Sequence, residues 1–214
     1  FAKLNFEHFY RQWLALDQIP VPTYSPSFMG HESLEYLTNE AIEVVREPMI
    51  QEVVDLINYI VWIKPGNYFD LMTTDLAMVK DTSMAKGIYG IPIWNGSSAD
   101  SDLVRFTDGN RKGLLSRAAF LLNETEKNRP VLRGVWIRRR ILCDEIPDPD
   151  PNSLPVGSLD PPVILPSDST RATYEKKTGS ATCMACHTAI NPLGFAYESF
   201  DAMGRVHFGG RERH

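Results

Sequence analysis

Cysteine is scarce in this chain, with three residues among 214, and two of them, Cys183 and Cys186, stand three positions apart. A disulfide framework is excluded, and whatever the paired cysteines do must be local chemistry. A long apolar run is missing too. The most apolar stretch, Ile50 to Ile63, is interrupted by Gln51, Glu52, Asp55 and Asn58. It falls short of the roughly 20 residues that span a bilayer, so no membrane-spanning segment is expected and the stretch reads as a buried helix. There is no basic stripe: the net charge is -5, with Lys and Arg scattered among Asp and Glu, which excludes nucleic acid as a partner. Period-two alternation is nearly absent, as are internal repeats and charge blocks. The opening, Phe1-Ala2-Lys3-Leu4-Asn5-Phe6, has no initiator Met, basic n-region or apolar h-region. It reads as a processed product or fragment, and more chain is expected after His214.

What is present is an ordinary globular composition, 43% hydrophobic and 23% charged, enough for a sizeable core and for two domains. Apolar residues recur at helical spacing through the first 145 positions, and the expected fold class is all-α. Phe6, Phe9, Trp13 and Leu14 form one stripe. Ser33 is suited to cap a second helix carrying Leu34, Leu37, Ala41, Val44 and Val45. Pro48 fits the first turn of a third, ending by Lys64-Pro65-Gly66. Short helices are predicted around Tyr68 to Met72 and Ser83 to Tyr89, and longer ones over Arg111 to Leu122 and Val131 to Leu142. The last of these ends in Arg138-Arg139-Arg140, where cations complement the helix dipole. From Ile146 to Pro166 seven prolines forbid continuous helix. This is a linker, or a strap in which Ile146, Leu154, Val156, Val163, Ile164 and Leu165 pack on a surface. The expected division is a helical domain over 1–145, a proline-rich strap over 146–170 and a small segment over 171–214.

That last segment holds Cys183-Met184-Ala185-Cys186-His187, the C-x-x-C-H pattern. On a helical turn, positions i, i+3 and i+4 share a face, so two thiols reach the two vinyl groups of a haem while the imidazole sits under the iron. The pattern implies one covalently attached haem c, with Cys183 and Cys186 as attachment points and His187 as an axial ligand. A zinc site would need a fourth ligand, which no second cluster offers. A thioredoxin-like dithiol would need a βαβ setting. Met203 is the candidate for the opposite axial position. The alternatives are that it packs as core beside Phe195 and Phe200, and that His207, an upstream Met or a partner residue ligates. For a ligating Met203, Ala189 to Gly194 runs extended, with Pro192 and Gly194 as breakers, and a helix over Phe195 to Ala202 follows. Cys143 reads as a small buried hydrophobe. Arg133, Arg138, Arg139 and Arg140 read as solvated, with pairing to haem propionates as the other reading. Met72, Met78 and Met84 read as core filling, and His8 and His31 as ordinary helix and capping residues.

The stretch from Cys183 through Asn191-Pro192-Leu193-Gly194-Phe195 to Phe200-Asp201-Ala202-Met203-Gly204-Arg205 closely resembles the DUF1592/DUF1588 family of bacterial c-type cytochrome-like proteins. Arg111-Lys112-Gly113-Leu114-Leu115 and Val131-Leu132-Arg133-Gly134-Val135-Trp136, running through Leu142-Cys143, resemble the family's upstream blocks in the family's order. The likeness covers roughly the last half of the chain, and more loosely Leu76 to Gly90. Family members commonly carry a branched aliphatic residue where this chain has Met203. The resemblance implies a periplasmic or extracellular haem protein with further segments in its full-length relatives.

Three functions are compatible with these residues. The first is a monohaem c-type cytochrome passing electrons between redox partner proteins. The second is a haem-dependent oxidase or peroxidase component, which needs an open iron position. The third is a structural subunit of a redox complex, with residues 1 to 145 as scaffold. No side chain is assigned a catalytic role.

Overall fold

The computed structural model describes residues 1–25, 28, 37, 39–150, 152, 154, 156–165 and 168–206, apart from the side chains of residues 39–43. The protein is largely helical. Among the described residues the only strands are the two-residue segments β1 (Leu76–Ala77) and β2 (Val104–Arg105), paired antiparallel with Leu76 opposite Arg105. Two compact units form, one from Phe1–Lys127 with Phe200–Val206, the other from Asn128–Ser199. Composition changes at Ile146, yet the units part at Lys127. The reason is that the helix over 130–140 packs along the helix bearing the cysteine pair.

In the first unit, α1 (Ala2–Trp13) buries Tyr10 and the adjoining Leu14, while Phe9 stays exposed. The expected break at Pro48 is absent: α2 runs unbroken from Asn39 to Asn58 and continues as a wider π turn over Tyr59–Ile63. An interior proline forfeits one helical hydrogen bond and crowds the preceding turn, at a cost of about 3 kcal/mol. Burying Met49, Ile50, Val53, Val54, Leu56 and Ile57 contributes about 1.5–3 kcal/mol for each large side chain, which outweighs that cost. The Ser33 cap lies outside the described residues. α3 (Tyr68–Thr73) begins with a capping box, in which Asn67 accepts from the Phe69 and Asp70 amides and Asp70 accepts from the Asn67 amide at 2.8 Å. The turn over Ser83–Tyr89 forms as expected, and Met78 and Met84 are core residues.

The helix expected over Arg111 to Leu122 is reduced to α4 (Ala118–Leu121). Gly113 takes a φ of +65°, and a Cβ there would lie 1.8 Å from the Met72 carbonyl oxygen, so the chain turns where the pattern suggests a helix. Both arginines of this segment point inward. Arg111 donates to the Ser116 carbonyl at 2.8 Å and Arg117 to the Gly113 carbonyl at 2.8 Å. Arg117 also pairs with buried Glu52 at 3.0 Å, and Glu52 accepts from the Tyr89 hydroxyl at 2.7 Å. The segment Phe200–Val206 is a tight turn closed by a Phe200–Val206 bridge. It is held by Arg111 donating to the Gly204 carbonyl and Tyr24 donating to the Ala202 carbonyl at 2.7 Å.

The second unit contains α5 (Pro130–Arg140), α6 (Thr170–Lys177) and α7 (Ala181–Phe195). Pro130 opens α5, where a missing N–H costs nothing. α5 and α7 touch backbone to backbone: a Cβ on Gly194 would lie 2.0 Å from the Pro130 carbonyl oxygen, and one on Gly134 2.3 Å from that of Ile190. The proline-rich stretch is tied at its start by Arg139 to the Ile146 carbonyl at 3.0 Å and to Asp148 at 2.8 Å, and near its middle by Lys177 to the Gly157 carbonyl at 3.0 Å. Ile146, Leu154 and Ile164 are half-buried, whereas Val156, Val163 and Leu165 are exposed, so only part of the expected apolar set packs.

Candidate cofactor-binding site

α7 starts at Ser180, whose hydroxyl accepts from the Cys183 amide at 3.3 Å and thereby caps the turn that carries the motif. Cys183, Cys186 and His187 follow at helical spacing with free thiols. Cys186 is exposed, and Cys183 and His187 are half-exposed. Met184, between the two cysteines, leaves 38% of its surface open, and Leu132 on α5 leaves 53%. The break expected at Pro192 does not occur, since α7 continues to Phe195 and the following residues, up to Ser199, are turn. The backbone contact with α5 at Gly194 holds this last turn in helical form.

The side that meets the protein is a chain of hydrogen bonds not foreseen from sequence. His187 Nδ1 lies 2.9 Å from Asn191 Oδ1, Asn191 Nδ2 donates to Thr178 Oγ1 at 2.9 Å, and Thr178 Oγ1 donates to the Tyr174 carbonyl at 2.8 Å. Asn191 and Thr178 are 7% and 6% exposed. The sequence signal was there to find: Asn191 is four residues after His187, so a helix that presents His187 also sets Asn191 beside it.

Arg133 is buried, contrary to its expected solvated position, and donates to the Tyr197 carbonyl at 3.5 Å. Burial away from water pushes its pKa down to about 10, with Tyr197 opposing. Arg138, Arg139 and Arg140 are half-exposed, and Arg138 pairs with Asp144 at 2.7 Å. Cys143 is exposed and sits in the left-handed region at φ 57°, so it is not the buried hydrophobe expected of it. It occupies the exit of α5, a place glycine usually fills. Met203 belongs to the first unit, where it is 2% exposed and donates its amide to Asp201 at 2.9 Å. His8 is exposed, and His31 and His207 lie outside the described residues. Among the described residues no group of three or more His, Cys, Asp or Glu side chains is assembled to hold a bare metal ion.

A family model matches this part of the chain. Residues 111–208 match the PSCyt3 family, a protein of unknown function (DUF1588). The match runs from the inward-pointing arginines through α5 and α7 to the Phe200–Val206 turn, so the PSCyt3 stretch contains Cys183, Cys186, His187, Asn191 and Met203. No characterised protein and no solved structure shows significant similarity to the chain.

Chemically, Cys183, Cys186 and His187 are a donor set that could hold a covalently attached haem. Two free thiols share a helix face, and an imidazole with one nitrogen engaged by Asn191 keeps the other for a metal. Exposed Met184 and Leu132 offer apolar surface of the kind that a porphyrin covers.

Proposed function

We propose that this chain is a monohaem c-type cytochrome of the periplasm or extracellular space that mediates electron transfer as part of a larger chain or complex. The observation that carries the reading is the solvent-accessible Cys183, Cys186 and His187 constellation on one face of α7, with His187 anchored from the protein side. Cys183 and Cys186 would hold the haem, each thiol adding its S–H across one vinyl group to form a thioether with no other reactant or product, and His187 would hold the iron through its second nitrogen. When bound, the haem supplies a one-electron couple whose potential depends on axial ligation, burial and nearby charge. Ser180 holds the first turn of α7, and the Gly134 and Gly194 contacts fix α7 against α5, so the attachment points keep their spacing during turnover.

Covalent attachment is tested on the chain produced in a host with haem-attachment machinery. The denatured band retains peroxidase staining, and the intact mass exceeds the polypeptide by one haem. Cys183→Ala with Cys186→Ala abolishes both signals. A colourless native protein containing zinc overturns the reading, as does recovery of the mature holoprotein in the cytoplasmic fraction. A six-coordinate spectrum inert to peroxide supports electron transfer, whereas a five-coordinate haem reacting with peroxide favours an oxidase or peroxidase component. Met203 is the chain's own candidate for the opposite ligand. On that assignment Met203→Ile abolishes the near-infrared sulfur-to-iron band and keeps the haem attached; an unchanged spectrum leaves Met203 as core of the first unit.

A further inference from the structure

We infer that Asn191 is a positioning residue that places the ring proton of His187 on Nδ1 and so reserves Nε2 for iron; this rests on His187 being the axial ligand. The argument starts at the far end of the hydrogen-bond chain. The Thr178 hydroxyl has one proton, and it points to the Tyr174 carbonyl at 2.8 Å. Toward Asn191, 2.9 Å away, Thr178 Oγ1 is therefore an acceptor, and the amide group facing it is the NH2. That sets the amide oxygen toward His187. An amide oxygen only accepts, so the imidazole nitrogen 2.9 Å from it must carry the proton. A neutral imidazole protonated at Nδ1 has its lone pair at Nε2, the form that ligates a metal.

Asn191 and Thr178 are both nearly excluded from water, so with the Thr178 proton on the Tyr174 carbonyl an amide turned the other way would set its oxygen against another acceptor with no solvent to relieve it. Tyr174, which supplies the last carbonyl, is itself fixed because its hydroxyl donates to the Asn128 carbonyl at 3.2 Å. The result is a second shell built from side chains and one helix carbonyl within the second unit. Outer partners of this kind orient a metal-bound histidine and tune its basicity. A neutral amide is a moderate acceptor, so it leaves the imidazole less electron-donating than a carboxylate partner would.

The test uses the full-length holoprotein and three variants, Asn191→Asp, Asn191→Leu and Thr178→Val, each examined for covalent haem by gel staining and for midpoint potential. Replacing the amide by a carboxylate strengthens the acceptor, gives the imidazole more anionic character and lowers the potential. Removing it with Asn191→Leu raises the potential. Thr178→Val frees the amide to turn and moves the potential the same way by a smaller amount. Opposite signs for the Asp and Leu variants are not what loss of packing alone produces. In the reduced native protein, proton NMR shows a slowly exchanging His187 Nδ1–H that is lost in Asn191→Leu. Potentials that do not separate, with haem retained in each variant, overturn the assignment of Asn191. Absence of covalent haem from the native protein overturns the cofactor reading itself. Should Asn191→Asp fail to fold, the Thr178→Val shift and the Nδ1 proton still decide.

Discussion

Replacing Gly194 by alanine pits two opposing effects against each other, and their sizes differ enough to give a sign. In a helix interior alanine is favoured over glycine by about 1 kcal/mol, so propensity alone predicts a stabilised α7. The structure predicts the reverse. The new Cβ would sit 2.0 Å from the Pro130 carbonyl oxygen and 2.7 Å from its carbon, against carbon-to-oxygen separations of about 3.3–3.6 Å even for close C–H···O contacts. The two helices must part by more than about 1 Å, because the obstacle is backbone in the first turn of α5 and cannot swing aside. Overpacking of this kind costs about 1–3 kcal/mol. The parting also loosens buried Ile137 and Ile190, since a gap of about 0.5–1 Å forfeits a quarter to a half of each contact. A net loss of about 2 kcal/mol is expected, read as a lower urea midpoint at unchanged slope in far-UV circular dichroism. Gly134→Ala, at 2.3 Å from the Ile190 carbonyl oxygen, should behave alike. The double variant should lose less than the sum, because the first substitution has already separated the helices. An unchanged or higher midpoint for Gly194→Ala would refute the close approach of α5 and α7.

Three further outcomes follow from the first unit and from the exit of α5. Glu52→Gln leaves the Arg117 guanidinium buried without its carboxylate, so a loss of about 3–5 kcal/mol is expected in urea denaturation; a loss below about 1 kcal/mol would mean water reaches the pair. Tyr24 and Tyr89 have pKa values raised by burial first, with Asp201 and Glu52 adding to it. The unfolded chain therefore loses their protons near pH 10 while the native state keeps them, and stability falls as pH rises above about 10. Ultraviolet titration should show Tyr24 and Tyr89 among those of the eight tyrosines that ionise only with unfolding, and a smooth titration of all eight without a fold transition would contradict it. Cys143→Gly relieves a left-handed φ of 57° and should raise stability by up to about 1 kcal/mol, with a fall in thermal midpoint as the opposing result.

How much of this was legible in the sequence depends on the range over which each feature is decided. Helical spacing, the C-x-x-C-H face, the predominance of helix and the turns over 68–73 and 83–89 depend on neighbours within one or two turns, and the chain itself displays them. Pro48 and Pro192 carry local signals for a break, yet both lie inside helices, α2 secured by burial and α7 by the backbone contact at Gly194. Nothing in the local pattern of Arg111 and Arg117 marks them as interior, because arginine is rarely buried whole. Carbonyl oxygens, aromatic faces and one distant carboxylate draw them inside instead. The same distinction separates the two halves of the site. Cys183, Cys186 and His187 form a spacing pattern, and spacing is what a sequence displays. Asn191 is at a legible distance from His187, but its meaning depends on Thr178, thirteen positions before it and brought near by the turn between α6 and α7. A helix-forming sequence can set an imidazole on a surface, but the side of the ring that keeps the proton is decided by the fold behind it.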